Sequence, residues 1–262
     1  MSVPILKRIL GPILPLVDAL ALRLGYRSLR NDTYLAAFAQ QLMRGEKSVL
    51  PIVQEERAFA IARALQFCAS NKIVGAIYEF GVQEGASAEL ISRLANAIGY
   101  KAGLYLFDSF KGLPEVQGRD RYTDVWFEGK YAGGSAEADL VCSRLTKFRS
   151  RDSFEIIHGF YKDVLPRCDI RERAALIHID CDLYSSARCA LEFATKVVQD
   201  GTVLLFDDYY CFAGNPAFGE RRAVAEWALR NTEISITQWF SYGWHGQAMI
   251  CHKTVPQEAD DE

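Results

Sequence analysis

From residue 74 onward the chain alternates short apolar runs with amphipathic stretches. The runs "VGAIYEFGV" (74–82), "AGLYLFDSF" (102–110), "SFEIIHGF" (153–160), "ALIHIDCD" (175–182) and "GTVLLFDDY" (201–209) each close on an acid, a glycine or both. Between them, apolar positions three and four residues apart predict helices over 85–99, 185–200 and 219–231. Strands alternating with helices require crossover connections. They predict an α/β, Rossmann-like architecture: a mostly parallel sheet flanked by helices. "ISITQWFSY" (234–242) and "HGQAMICHK" (245–253) read as a closing hairpin that turns at Gly243-Trp244. Upstream, residues from about 31 to 72 read as helical, with "EERAFAIARALQFCASNK" ending near Ser70-Asn71. The expected organisation is therefore a helical extension over 1–72, one α/β domain over 73–254 and an acidic, disordered tail over 255–262.

Residues 111–135, "KGLPEVQGRDRYTDVWFEGKYAGGS", break the alternation. A polar, glycine-rich stretch of this length in a compact domain is either disordered or a lid. Tyr122, Trp126, Phe127 and Tyr131 favour a lid, because aromatics provide surface with which to dock.

Composition narrows the classes. With 262 residues, half of them hydrophobic, the chain can bury a sizeable core. A formal net charge of −3 and the lack of a dense Lys/Arg block argue against a nucleic-acid partner. Seven scattered cysteines with no C-x-x-C spacing read as reduced, packed thiols of a cytoplasmic protein. The first 30 residues are apolar and basic, but Pro4, Pro12, Pro15 and Asp18 argue against an uninterrupted membrane span. Two expectations stay open for this segment: packing on the domain or on a second copy in a homo-oligomer, or lying at the inner face of a membrane.

In an open parallel sheet the ligand sits beyond the carboxyl ends of the strands. Here those ends supply Glu79, Asp108, His158-Gly159, Asp180 with Asp182, and Asp207-Asp208. So many acids on one edge would be costly unless cationic groups joined them. The first loop, "EFGVQEGAS", has Gly81 and Gly85 for a tight turn and close backbone approach, yet is neither G-x-G-x-x-G nor a P-loop. An acid on the last strand residue suits a ligand with an ammonium group and little phosphate, such as S-adenosylmethionine (SAM). Asp108 ends the second strand, where a carboxylate can accept hydrogen bonds from ribose hydroxyls. Asp180, Asp207 and Asp208 form a hard, oxygen-only set suited to Mg²⁺, Mn²⁺ or Ca²⁺. Cys181 reads as a packed thiol and His178 as a core histidine, while His245 and His252 have no evident partner.

"EFGVxxGxS", "FDSFKGLP", "HGFYKDVLP", "IDCDLYSS" and "FDDYY", in this order over roughly residues 73–230, resemble the macrocin-type O-methyltransferases, which methylate sugar hydroxyls. The resemblance implies a class I SAM-dependent fold and Mg²⁺ dependence. It puts Glu79, Phe80, Gly81, Gly85, Ser87, Asp108 and Ser109 at SAM, and His158, Gly159 and Phe160 near its adenine. Asp180, Asp207 and Asp208 would hold the metal. Asp180 is the first choice as base for the departing proton, Asp182 the second, with the lid tyrosines behind them. The implied acceptor is a small-molecule or glycoconjugate hydroxyl. Two alternatives remain at this level. Asp180-Cys181-Asp182 could serve a metal-dependent glycosyltransferase, or the chain could be a non-catalytic SAM-binding module at a membrane.

Overall fold

The computed structural model describes residues 54–122, 124–133 and 137–253. The expectations for residues 1–53 and for the acidic tail lie outside these residues. Among the described residues, seven strands form one sheet: β1 (Ala76–Phe80), β2 (Leu104–Asp108), β3 (Phe154–His158), β4 (Ala174–Ile179), β5 (Val203–Phe206), β6 (Ile234–Tyr242) and β7 (Gly246–Lys253). Their order is β3-β2-β1-β4-β5-β7-β6. β1 to β5 are parallel, and β7 runs antiparallel between β5 and β6. The predicted hairpin thus forms, turning through Gly243-Trp244.

Six helices of the described residues accompany the sheet: α1 (Glu55–Ser70), α2 (Ala86–Ala97), α3 (Glu137–Leu145), the single turn α4 (Tyr161–Val164), α5 (Tyr184–Val197) and α6 (Gly219–Arg230). The strands read as continuous apolar runs because both faces are covered. Ile77, Leu104, Leu106, Leu176, Val203 and Leu205 pack with Ile61 and Leu65 of α1, Leu90 and Leu94 of α2, and Val141 of α3. Their strand neighbours Tyr78, Phe80, Phe107, Ile177, Ile179 and Phe206 pack on the other face with Leu191 and Phe193 of α5 and Trp227 of α6. The period of two along each strand divides the core. α1 belongs to the first of these layers, so the boundary expected at residue 72 falls behind a helix that the core needs. Among the described residues, no helix is long and apolar enough to cross a membrane, and all seven cysteines are free thiols.

Strand order reverses at β1, with β2 on one side of it and β4 on the other. There the loops after β1 and β4 diverge and open a crevice at the carboxyl edge. The 111–133 stretch folds over this crevice. Leu113 and Lys130 pair through their backbones, Leu113 N–H donating to the Lys130 carbonyl at 2.9 Å, and Gly129 N–H returns to the Leu113 carbonyl at 2.9 Å. Gly112 at φ +75° lies against the carbonyls of Gly129 and Lys130, where a Cβ would collide. Trp126 stacks on Phe212 with centroids 5.8 Å apart, and Tyr122 meets Phe218 edge-on at 4.8 Å. Of the four aromatics, Tyr122 and Trp126 therefore dock the loop, while Phe127 and Tyr131 are exposed.

Candidate active site

Beneath this loop lies a cavity of about 740 Å³. Nine of the predicted site residues line it: Gly81, Ser87, Asp108, Ser109, Phe160, Asp180, Asp182, Asp207 and Asp208. Glu79, Phe80, Gly85, His158 and Gly159 do not. Glu79 is fully buried and faces His178, whose Nδ1 lies 3.2 Å from Glu79 Oε1. Phe80 is core, stacked on Phe107 at 4.8 Å. Gly85, at φ +79°, is the N-cap of α2. His158 Nε2 lies 2.8 Å from the Ser109 carbonyl and ties the end of β3 to the loop after β2. These five lie outside the cavity lining.

The β1–α2 loop is shaped by Gly81 and Asp108. A Cβ on Gly81, at φ +95°, would run into the Asp180 carbonyl. Asp108 Oδ2 accepts the N–H groups of Val82 and Gln83 at 2.7 and 2.8 Å, and Oδ1 accepts Phe110 N–H at 2.7 Å. One carboxylate thus fixes two loops at once and still presents itself to the cavity.

The acid cluster sits at the ends of β4 and β5. Burial first, then Asp207 beside it, raises the Asp180 carboxyl to about 6 against the pull of Arg57. Burial together with Asp180 and Asp207 pushes Asp208 up to about 8. Asp182, at φ +58°, is buried among the same acids and is pushed well above the usual carboxylate range. Asp207 goes the other way: burial opposes its charge, but His178 and Arg57 outweigh it and hold the carboxyl below its ordinary value. The His178 imidazole is driven up to about 10, because Asp207 and Glu79 overcome its burial. Its Nε2 makes no hydrogen bond of good geometry, although the Asp207 carboxylate is close enough to raise its proton affinity. Behind Asp208, the buried Glu220 accepts the Asp208 N–H at 3.0 Å. Burial and the neighbouring aspartates push Glu220 well above its usual range.

Two cluster members carried no local signal in the sequence. Arg57 of α1 donates from Nη1 to Asp180 Oδ2 at 2.7 Å and from Nη2 to Asp207 Oδ2. Burial works against its charge, but the two aspartates raise its proton affinity above the ordinary value. His245, in the turn just before β7, bonds through Nδ1 to the Asp207 carbonyl, and its Nε2 lies 3.1 Å from Gln54 Oε1.

The donor set suits a divalent cation. Asp180, Asp207 and Asp208 all line the cavity, but the close-set ligand group among the described residues has His245 where the sequence reading puts Asp180; Asp207 Oδ1 is buried with no hydrogen-bond partner. Asp207, Asp208 and His245 each offer a ligand atom within 4.8 Å of the others. A buried acceptor left without a donor is what a cation would satisfy.

The sheet order, the carboxyl-edge crevice and the acid cluster define a class I methyltransferase fold. Residues 47–232 match the macrocin-O-methyltransferase (TylF) family, and the chain belongs to it. Over 153 residues it is 29% identical to a Streptomyces olivaceus protein, 8-demethyl-8-(2,3-dimethoxy-alpha-L-rhamnosyl)-tetracenomycin-C 4'-O-methyltransferase, covering 55% of this chain and 58% of that one. Over 170 residues it is 25% identical to mycinamicin III 3''-O-methyltransferase of Micromonospora griseorubida, covering 60% of this chain and 66% of that one. The match thus spans about three fifths of these relatives' length. The structure of the O-methyltransferase NovP superposes with a TM-score of 0.64 at 18% identity, over 90% of this chain and all of NovP.

Proposed function

We propose that this protein transfers the methyl group of SAM to a sugar hydroxyl, with Mg²⁺ held by Asp180, Asp207 and Asp208. The observation that carries the reading is the convergence of these three carboxylates on the wall of a cavity, in a chain of this family. The sugar hydroxyl comes from the names of the two relatives, whose acceptors are a rhamnosyl tetracenomycin derivative and mycinamicin III.

The chain's residues divide the work. Gly81 and the backbone of the following loop admit the donor's amino-acid end, and Asp108 faces its ribose. SAM supplies an electrophilic methyl on a sulfonium, and a divalent cation held by these aspartates would make a bound acceptor hydroxyl more acidic. Asp180 takes the hydroxyl proton as the O–CH₃ bond forms and the S–CH₃ bond breaks; S-adenosylhomocysteine and a methyl ether leave. Burial and Asp207 raise the Asp180 carboxyl to about 6 in the metal-free chain, which favours proton uptake there, and a coordinated cation would lower it again. Burial and the nearby acids push the Tyr131 phenol up, so at neutral pH it keeps its proton and offers a donor at the cavity wall. The lid, through Trp126 and Tyr131, limits the water that could compete for the site.

The test is an assay of purified protein with SAM against a panel of deoxysugar-bearing acceptors, before and after exhaustive chelation. Methyl ether should form, vanish on chelation and return with Mg²⁺, while SAM affinity by calorimetry changes little. Turnover untouched by chelation would remove the metal from the reading. A chain stabilised against heat by a nucleotide sugar with Mn²⁺, and not by SAM, would favour glycosyl transfer instead.

Asp108→Ala should weaken SAM binding by about 1–3 kcal/mol, because a charged acceptor is lost and the β1–α2 loop loses its two N–H anchors. Calorimetry on the folded variant checks this; an unchanged affinity would leave Asp108 as a loop clamp alone.

A further inference from the structure

The acid cluster already holds a cation of the chain's own. Arg57 stands in the first turn of α1 and reaches the sheet edge with its side chain about one-fifth exposed. Its two Nη atoms engage Oδ2 of Asp180 and Oδ2 of Asp207, which are two of the three carboxylates assigned to the metal. Its Nε is buried with no hydrogen-bond partner, so the guanidinium is only partly satisfied where it lies. The third carboxylate, Asp208, is engaged differently: Oδ2 accepts the Asp182 N–H at 3.1 Å and Oδ1 lies 3.5 Å from the Cys211 thiol.

A bridging guanidinium and a divalent ion make conflicting demands on the same two carboxylates, although Asp207 Oδ1 carries no hydrogen bond. The fork needs in-plane lone pairs of both carboxylates, and the ion needs short contacts to the same groups at fixed angles. Both are positive, so they also repel in a site with little water to screen them. An ion on these carboxylates therefore weakens the guanidinium's hold on them.

We propose that Arg57 is a displaceable internal counter-ion: it holds Asp180 and Asp207 together when the metal is absent and must release at least one of them for the metal to bind. This rests on the metal reading above. Arg57 then sets the metal affinity of the site. It also ties metal occupancy to the start of α1, which keeps a second anchor in the contact between Gln54 and His245. The released guanidinium has room to move, because Arg57 lines the cavity.

The test is calorimetry of Mn²⁺ binding to the full chain and to Arg57→Gln, at alkaline pH so that protons do not compete. Loss of the fork and of its positive charge should tighten Mn²⁺ binding by roughly tenfold or more, the scale of charge-assisted hydrogen bonds. Binding to Arg57→Gln that is equal or weaker overturns the competition and leaves the metal reading standing. No Mn²⁺ uptake by either chain overturns both. If Arg57→Gln fails to fold, diffraction from the unaltered chain with Mn²⁺ decides. An anomalous peak among the three aspartates with Arg57 withdrawn from Asp180 or Asp207 supports the proposal, and a peak with both Arg57 bonds intact overturns it.

Discussion

Asp207→Asn and Asp208→Asn are both expected to lose methyl transfer, yet to move heat stability in opposite directions. Each removes a charged oxygen donor from the proposed cation site. Turnover should fall by roughly 100-fold or more, the scale on which single groups that stabilise developing charge act. Stability separates them because the two neighbours have different partners. Asp207 answers Arg57 and His178, and its carboxyl is held below the ordinary range. Its replacement leaves Arg57 with Asp180 alone and His178 with Glu79 alone. Breaking buried charge pairs from one side costs on the order of 3 kcal/mol. Asp208 faces mainly other acids, and burial with Asp180 and Asp207 drives it up to about 8. An asparagine there removes the repulsion and keeps an oxygen for the Asp182 N–H. Asp208→Asn should therefore melt at or above the parent temperature without metal, while Asp207→Asn melts below it. Melting curves in chelator, set beside activity per folded molecule, give the comparison. Equal destabilisation by both, with activity retained, would make the pair a structural element.

Much of this architecture is legible in the chain because it is local. Five apolar runs ending in acids or glycines are five parallel strands, and the strand termini alone bring the acids to one edge. What the residues do once there depends on neighbours that pattern does not reveal. Glu79 looks like a ligand because it stands one residue from the carboxyl end of β1. Its partner is set by strand order: β1 lies beside β4, which puts Glu79 opposite His178 and turns both into buried support. The same pairing, with Asp207 nearby, raises the proton affinity of the buried His178 imidazole. Arg57 is harder still, since it reaches Asp180 and Asp207 from 123 and 150 residues away. The need for a cation among so many acids can be read from the sequence. Which of 30 basic residues meets it cannot, because that depends on how α1 crosses the sheet. Asp108 lies between these cases. Its position at a strand end is local, but its role as anchor for the preceding loop depends on β1 and β2 being adjacent.

In chelator, the protein is expected to lose heat stability as pH rises from about 4 to about 8, the reverse of the usual behaviour of paired carboxylates. Asp180 is raised to about 6 and Asp208 to about 8, each mainly by burial and by the other acids. A raised carboxyl binds its proton more tightly folded than unfolded. Its contribution is fully present below the unfolded value near 3.8 and is lost as pH climbs through the folded value. Asp120, Asp182 and Glu220 are raised as well, so they act in the same direction. His178, raised from 6.5 to about 10, continues the loss on the alkaline side. The lowered groups Asp207, Asp152 and Glu226 oppose this only in more acidic solution, where their stabilisation disappears as they protonate. A tenfold difference in proton affinity between folded and unfolded chain is worth about 1.4 kcal/mol, so the decline should reach a few kcal/mol, or roughly 5–10 °C in Tm. Saturating Mg²⁺ should cancel it, since a cation that displaces protons from Asp180 and Asp208 binds more tightly as pH rises. Melting temperature against pH, with chelator and with Mg²⁺, should therefore give two curves that diverge towards pH 8. Asp208→Asn should flatten the chelator curve, because it removes the group whose ionisation is most opposed there. Parallel curves, or a chelator curve that rises with pH, would mean that the acids are neutralised by Arg57 and His178 alone and need no metal.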